Sequence, residues 1–273
     1  PPWGGPPTPQ TPPPPPPPPP APPPPPPQPV APEAEEKYLN WIRQRAEHIP
    51  LQQLTGEQGF MGLTFSVNEH VLIPRQDTEI LVEEVLKELH DGMRVLDMCT
   101  GSGCILLSLL HYSNDCEGLG VDLSAEALEV AGRNVLKVLT PEKAEHAHFL
   151  QSDLFEKVEG KFEIIVSNPP YIASAEVEKL MPEVRDHEPR MALDGTEDGL
   201  YFYRRIIEEA GKHLVSSGML FFEIGYDQGQ AVSELMRTEG YCDVQVVQDY
   251  AGLDRVVFGT YVTVQPAPFA KSR

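Results

Sequence analysis

Asn168, Pro169, Pro170 and Tyr171 stand directly after the apolar run Phe162-Glu163-Ile164-Ile165-Val166. Prolines lack an N–H and fix φ, so they cannot continue a ladder, and the run reads as a buried strand cut off at its carboxyl end. An amide side chain, a rigid pair of carbonyls and an aromatic ring are thereby presented together. Open α/β sheets bind their ligands at strand ends of this kind. The competing reading of the same four residues is a Pro-stiffened turn.

A second group with chemical potential lies upstream. Val95-Leu96-Asp97-Met98-Cys99-Thr100-Gly101-Ser102-Gly103 reads as a strand and a glycine-rich turn opening an apolar helix. Glycine admits φ > 0 and lets a ligand approach the backbone closely. A helix start turns free N–H groups toward a polar ligand. Asp122 closes the next strand nineteen positions after Gly103, about the distance at which an acid reaches a ribose diol. A dinucleotide fingerprint needs a small residue where Leu106 stands, and a triphosphate loop needs Lys-Ser or Lys-Thr after the glycines. Neither is present. An adenosine cofactor without phosphates, S-adenosyl-L-methionine, fits best. Asp153 and Leu154, after the third strand, fall where an adenine would be flanked.

Positioning these groups requires a sheet. Strands are predicted at 94–98, 118–122, 146–150, 162–166 and 219–224, with helices at 103–111, 125–139, 200–214 and 228–238. Ser124 is the N-cap of the second of these helices. Two further strands, 242–247 and 255–264, close the chain. Alternation of this type gives an α/β fold, a doubly wound and mostly parallel seven-stranded sheet of Rossmann-like form with a C-terminal antiparallel strand. Ahead of it come a short helix over 34–48, ended by Pro50, and a hairpin over 58–73 turned at Asn68-Glu69. A helix with Leu81, Val82, Val85, Leu86 and Leu89 on one face then leads into the sheet.

Composition bounds the rest. Of the 31 prolines in 273 residues most precede residue 33, and Pro12–Pro20 and Pro22–Pro27 are unbroken runs. That segment is expected to be a disordered, polyproline II spacer, with a ligand for a Pro-binding domain as the alternative. The domain plan is therefore 1–33 Pro-rich, 34–76 helix and hairpin, 77–264 catalytic sheet and 265–273 tail. The net charge of −20 argues against a broad nucleic-acid footprint and for a basic or neutral protein partner. Cys99, Cys104, Cys116 and Cys242 show no metal spacing and read as reduced thiols, with Cys99 and Cys104 buried. No metal is expected. No apolar run approaches the length of a membrane span, which points to the cytoplasm, or to an organelle matrix in a eukaryote.

Asn168-Pro169-Pro170-Tyr171 together with Asp97-x-x-Thr100-Gly101-Ser102-Gly103 resembles the class I methyltransferases that act on amide or exocyclic amine nitrogens. Three more stretches narrow the resemblance: Ile73-Pro74-Arg75-Gln76-Asp77-Thr78-Glu79, Glu188-Pro189-Arg190-Met191-Ala192-Leu193-Asp194-Gly195 and Asp249-Tyr250-Ala251-Gly252-Leu253-Asp254-Arg255. From about Trp41 to Gly259 the chain is similar to the HemK family, the peptide chain release factor N5-glutamine methyltransferases. The resemblance implies methylation of the glutamine in a Gly-Gly-Gln loop. Asn168 and the Pro169 carbonyl would each accept a hydrogen bond from the glutamine NH2, and Tyr171 would pack on its side chain. Cys99 to Gly103, Asp122, Leu154 and Asn168 would line the cofactor. Cys99 stands where that family usually has glycine. Residues 34–76 would be the remnant of a helical docking domain. No strong base is required, and His187 reads as a solvated loop residue. The same chemistry also suits a ribosomal-protein glutamine or an adenine-N6 nucleic-acid methyltransferase, and an inactive Pro-rich interaction module is the reading from another class.

Overall fold

The computed structural model describes residues 30–262. The chain divides into two compact units, residues 1–40 and 41–273. In the first, the described residues from Val30 carry the opening turns of helix α1 (Pro32–Ala46). The runs Pro12–Pro20 and Pro22–Pro27, and the tail 265–273, lie outside the described residues.

The second unit continues with α2 (Leu51–Thr55), β1 (Glu57–Phe60), β2 (Leu63–Ser66) and α3 (Asp77–Glu88). The alternating part follows as β3 (Arg94–Met98), α4 (Cys104–Tyr112), β4 (Glu117–Asp122), α5 (Ala125–Val138), α6 (Pro141–Ala144), β5 (Ala147–Gln151) and β6 (Phe162–Ser167). Short helices α7 (Ser174–Val177) and α8 (Pro182–Arg185) precede α9 (Tyr201–His213), β7 (Leu214–Glu223), α10 (Gly229–Thr238), β8 (Tyr241–Gln248) and β9 (Asp254–Tyr261). The seven strands order as β5-β4-β3-β6-β7-β9-β8, and β9 runs antiparallel between β7 and β8.

Strand periodicity explains how the two faces divide. Val95, Ile164 and Val166 pack on the side of α3, α4 and α5, while Leu96, Met98 and Ile165 pack with residues of α9 and α10. Side chains alternate across a strand, so Asp97 points with Val95 into the face under α4. That helix is buried all round from Cys104 to Leu110, as its continuous apolar sequence requires. The chain leaves β3 toward β4 and β5 and then returns to β6 on the other side of β3. The strand order therefore reverses between β3 and β6, and a crevice opens there at the carboxyl ends. Register aligns the ends: Met98 pairs with Val121 and Ser167, and Ser167 with Phe222.

Several expectations about the flanking pieces need correction. The hairpin turns at Met61-Gly62 and not at Asn68-Glu69; both turn residues have positive φ, 51° and 71°, the two-residue turn that fits strand twist. Residues 68–73 form no strand. Met61 tolerates that conformation because its N–H donates to Glu79 at 2.7 Å and its carbonyl accepts from the Tyr112 hydroxyl at 2.6 Å. Pro50 ends no element outright: it precedes α2, which closes on Gly56 in a left-handed conformation at φ 76°, the usual glycine stop. β7 begins at Leu214, five residues before the predicted start, because a register shift opposite Phe162 and Ile164 accommodates its polar opening.

Candidate functional site

Local geometry makes the first wall of the crevice. After β3 the backbone turns left-handed at Cys99 (φ 63°), Gly101 (φ 56°) and Gly103 (φ 77°). A Cβ on Gly103 would stand 3.2 Å from both Ala131 and Leu107, so this position needs both the φ and the missing side chain. The loop is pinned across the sheet by the Thr100 N–H, which donates to the Val121 carbonyl at 2.9 Å. Asn134 of α5, fully buried, ties it from behind. Its Nδ2 donates to the carbonyls of Ser102 (2.9 Å) and Ser66 (3.1 Å), and its Oδ1 accepts from the Ser66 N–H at 2.7 Å. Nothing in the local sequence marks Asn134 for this task, because its partners are thirty-two and sixty-eight residues away.

Asp122 ends β4 beside this loop. One carboxylate oxygen accepts from the Gly101 N–H and the other from the Ser124 N–H, each at 2.9 Å. Burial raises its pKa, while these backbone donors pull it down. Charge-assisted bonds of this type fix the carboxylate and leave further lone pairs for hydroxyl donors. Asp97 lies deeper and does not line the cavity. Its Oδ2 accepts from the Thr100 hydroxyl at 2.6 Å and the Leu106 N–H at 3.3 Å. Burial pushes its carboxyl up to about 7, and its Oδ1 has no hydrogen-bond partner among the described residues.

The open cleft encloses about 1160 Å³ of empty space, counting the part continuous with solvent. Among the expected residues, Cys99, Thr100, Gly101, Ser102 and Asp122 line it, as do Asp153, Leu154, Asn168 and Pro170. Asp97, Gly103, Pro169 and Tyr171 do not. Asp153 contributes backbone more than charge, since its carboxylate is turned to Arg205 at 2.9 Å. Leu154 is buried in a left-handed conformation, φ 46°. Cys104 is buried as expected, but Cys99 is only partly so and faces the cleft. Burial drives both thiols up, Cys104 to about 12, so neither is a thiolate nucleophile at neutral pH.

The opposite wall is the Asn-Pro-Pro-Tyr corner. Ser167 anchors it by donating to the Met98 carbonyl at 2.6 Å. Asn168 is partly exposed, and its Nδ2 donates to the Thr78 hydroxyl at 3.5 Å, so its Oδ1 remains free to accept. Tyr171 points away from the cleft, its hydroxyl donating to the buried Glu223 at 3.2 Å. The Tyr171 carbonyl accepts from Gln228 at 3.0 Å. A Cβ on Gly199 would collide with that same carbonyl, so this close approach also needs glycine. Thr78, Gln228 and Glu223 were not expected from the local sequence.

An outer rim completes the site. Glu188, buried, accepts from the Ile73 N–H at 3.1 Å and pairs with Arg75. This joins the segment before α3 to the segment after α8, and Pro74, Pro189 and Met191 face the cleft from the two sides. Asp194 is held by the Ser174 hydroxyl at 2.6 Å and the Thr196 N–H at 3.0 Å. His187 takes no part in the cleft, since its ring nitrogen lies 3.0 Å from the Glu47 carbonyl. Among the described residues no group of His, Cys, Asp or Glu could hold a metal, and no helix is long and apolar enough to cross a membrane.

The methyltransferase small domain family matches residues 75–184, which run from the rim through both walls. A methyltransferase from Pyrococcus furiosus has a similar fold, with a TM-score of 0.55 at 18% identity over 81% of this chain and 99% of that one. The release factor glutamine methyltransferase of Clostridium acetobutylicum is 44% identical over 226 residues, 81% of this chain and 79% of its own. That of Moorella thermoacetica is 45% identical over 226 residues, 81% and 78% of the two chains. At this identity over about four-fifths of its length, the chain belongs to the release factor glutamine methyltransferase family.

Proposed function

We propose that this chain transfers a methyl group from S-adenosyl-L-methionine to the side-chain amide nitrogen (N5) of the glutamine in the Gly-Gly-Gln loop of peptide chain release factors. The observation that carries the reading is the state of Asn168, whose Nδ2 faces the Thr78 hydroxyl at 3.5 Å and whose oxygen is left to accept at the mouth of the cleft. The named substrate of the curated relatives supports the same reading.

The donor set suits the cofactor. Asp122 offers acceptors to a ribose diol, and Asp97 keeps an unpartnered oxygen beneath the loop. Arg75, a basic residue on the wall, is taken by Glu188, so the site favours a cation with hydroxyl donors over a phosphate. Thr100 to Ser102 and Leu154 would hold the nucleoside and its amino-acid arm. When bound, S-adenosylmethionine supplies an electrophilic methyl group.

The rest falls to the protein's own groups. An amide nitrogen is a poor nucleophile because its lone pair is delocalised into the carbonyl. Asn168 Oδ1 and the Pro169 carbonyl would accept the two N–H bonds and fix the nitrogen's orientation, an advantage worth several kcal/mol when reacting atoms are held in near-attack geometry. The same two acceptors stabilise positive charge developing on nitrogen. No base is needed before transfer, and the spare proton can pass to water afterward. Tyr171 would serve by fixing this corner from behind. Residues 34–76 would help to dock the release factor, and 77–264 would carry the reaction.

Labelled S-adenosylmethionine offered with a release factor, with the same factor carrying Gln→Ala in its loop, and with DNA tests the reading. Label confined to the unaltered factor is expected. Label on DNA, or equal label on both factors, would overturn it.

A further inference from the structure

The first and last of the flanking motifs meet at one place that the chemistry above leaves unexplained. Glu223 closes β7 next to the strand that ends in Ser167-Asn168, and is 2% exposed. The Tyr171 hydroxyl donates to its Oε1 at 3.2 Å, and the fully buried Tyr203 donates to its backbone carbonyl at 2.9 Å. From the last motif, Arg255 donates to the neighbouring Ile224 carbonyl at 3.3 Å and is held by Asp249 at 3.0 Å. From the first motif, Asp77 lies 3.6 Å from Arg255, and Thr78 accepts from Asn168.

Glu223 is buried and does not line the cleft. Its contacts run instead to the back of the Asn-Pro-Pro-Tyr corner. Pro169 and Pro170 have fixed φ, so anchoring Tyr171 at one end of the pair constrains Asn168 at the other. Burial pushes the Glu223 carboxyl up, while Thr78, Arg255 and Tyr171 pull it back down; Oε2 makes no hydrogen bond among the described residues.

We propose that Glu223 is a positioning residue for the transfer, which by holding the Tyr171 hydroxyl keeps the Asn168 oxygen in the orientation that accepts the substrate amide. Arg255 and Asp249 support Glu223 from below, which gives the closing motif a role in the reaction without contact with either reactant. The inference rests on the proposed role of Asn168.

The test uses the full chain with Glu223→Ala, Glu223→Gln, Tyr171→Phe and the Glu223→Ala/Tyr171→Phe pair. Three quantities are read: turnover of a release factor, S-adenosylmethionine Kd by calorimetry, and the Asn168 side-chain amide signal by nuclear magnetic resonance, assigned by its loss in Asn168→Ala. Glu223→Ala should lower kcat about 30-fold while the cofactor Kd and the release factor KM stay within about 3-fold, because only the orientation of Asn168 is lost. Glu223→Gln should keep kcat within about 5-fold, since its amide oxygen still accepts from Tyr171. The pair should be no worse than either single change, as expected for groups acting as one unit. The Asn168 signal should move in Glu223→Ala and Tyr171→Phe but not in Glu223→Gln.

Parental kcat in Glu223→Ala or Tyr171→Phe, multiplying losses in the pair, or a Gln variant as poor as Ala would each overturn the proposal. If Glu223→Ala does not fold, Tyr171→Phe and Glu223→Gln decide the matter. If the parent labels no release factor, the proposed substrate is wrong, and an Asn168 signal unmoved by Tyr171→Phe would overturn the positioning role on its own.

Discussion

The wall of the cleft that begins at β3 is made mostly by backbone, and the wall that begins at β6 mostly by side chains reaching from afar. On the first, Cys99 to Gly103 and Asp122 form a loop whose shape follows from left-handed turns and whose acid is held by two neighbouring N–H groups. On the second, Asn168 and Tyr171 are held by Thr78, Gln228 and Glu223, from 52 to 90 residues away in the chain. Outside its glycines, a backbone wall can be altered at one side chain and keep its form. A side-chain wall depends on every member, because each buried polar group left without its partner costs about 1–3 kcal/mol.

The sharpest way to separate the two walls is Asn168→Ala. Turnover of a release factor should fall about a thousandfold, because one of two acceptors of the reacting amide is gone, while calorimetry should show cofactor affinity changed by less than about 5-fold. Equal losses in both would mean that the walls are not distinct. Asp122→Ala should do the reverse: cofactor Kd should rise about 10- to 100-fold, the worth of a charge-assisted hydrogen bond or two, and kcat at saturating cofactor should stay near the parent's.

Asp97 gives the backbone wall a pH signature. Its folded pKa, about 7, lies above the ordinary 3.8, so the folded state holds the proton more tightly than the unfolded one. Stability from this group is therefore lost as pH rises from about 4 toward 7 and is constant above that. Asp97→Asn removes the effect. Urea unfolding measured across this range should show the variant gaining on the parent by about 3 kcal/mol between pH 4 and 7. A gap that does not change with pH would show that Asp97 ionises normally. The smallest effect is at Cys99, a non-glycine residue at φ 63°. Left-handed backbone costs an L-residue about 1 kcal/mol, so Cys99→Gly should raise stability by up to that amount in thermal unfolding, with cofactor affinity unchanged.

This contrast also explains what could be read from the sequence. The strand at 94–98 was legible to the residue, and the strands at 118–122 and 162–166 to within one, since apolar runs broken by Gly, Asp and Pro leave few alternatives. The glycine loop and Asp122 were legible because they are neighbours in the fold through neighbouring strands. The roles of Asn134, Glu223 and Thr78 were not, because no spacing rule joins a buried side chain to partners 32 to 90 residues away. The resemblance puts Tyr171 on the substrate, and the structure shows its hydroxyl donating to Glu223. Its ring alone could not say which way it points, whereas Glu223 opposite it does. The Met61-Gly62 turn was missed because Met seldom adopts positive φ, and only the bonds from Glu79 and Tyr112 make it acceptable there.

The place of β9 has a consequence for the order of events during synthesis. Although β9 is the last described strand, it inserts between β7 and β8 and delivers Arg255 to the neighbourhood of Glu223 and Asp77. Domains generally fold as units, and a nascent chain stopped before Asp254 lacks the strand that borders β7 and pairs β8. Cofactor capture and methyl transfer should then appear together, only once the closing strand has emerged.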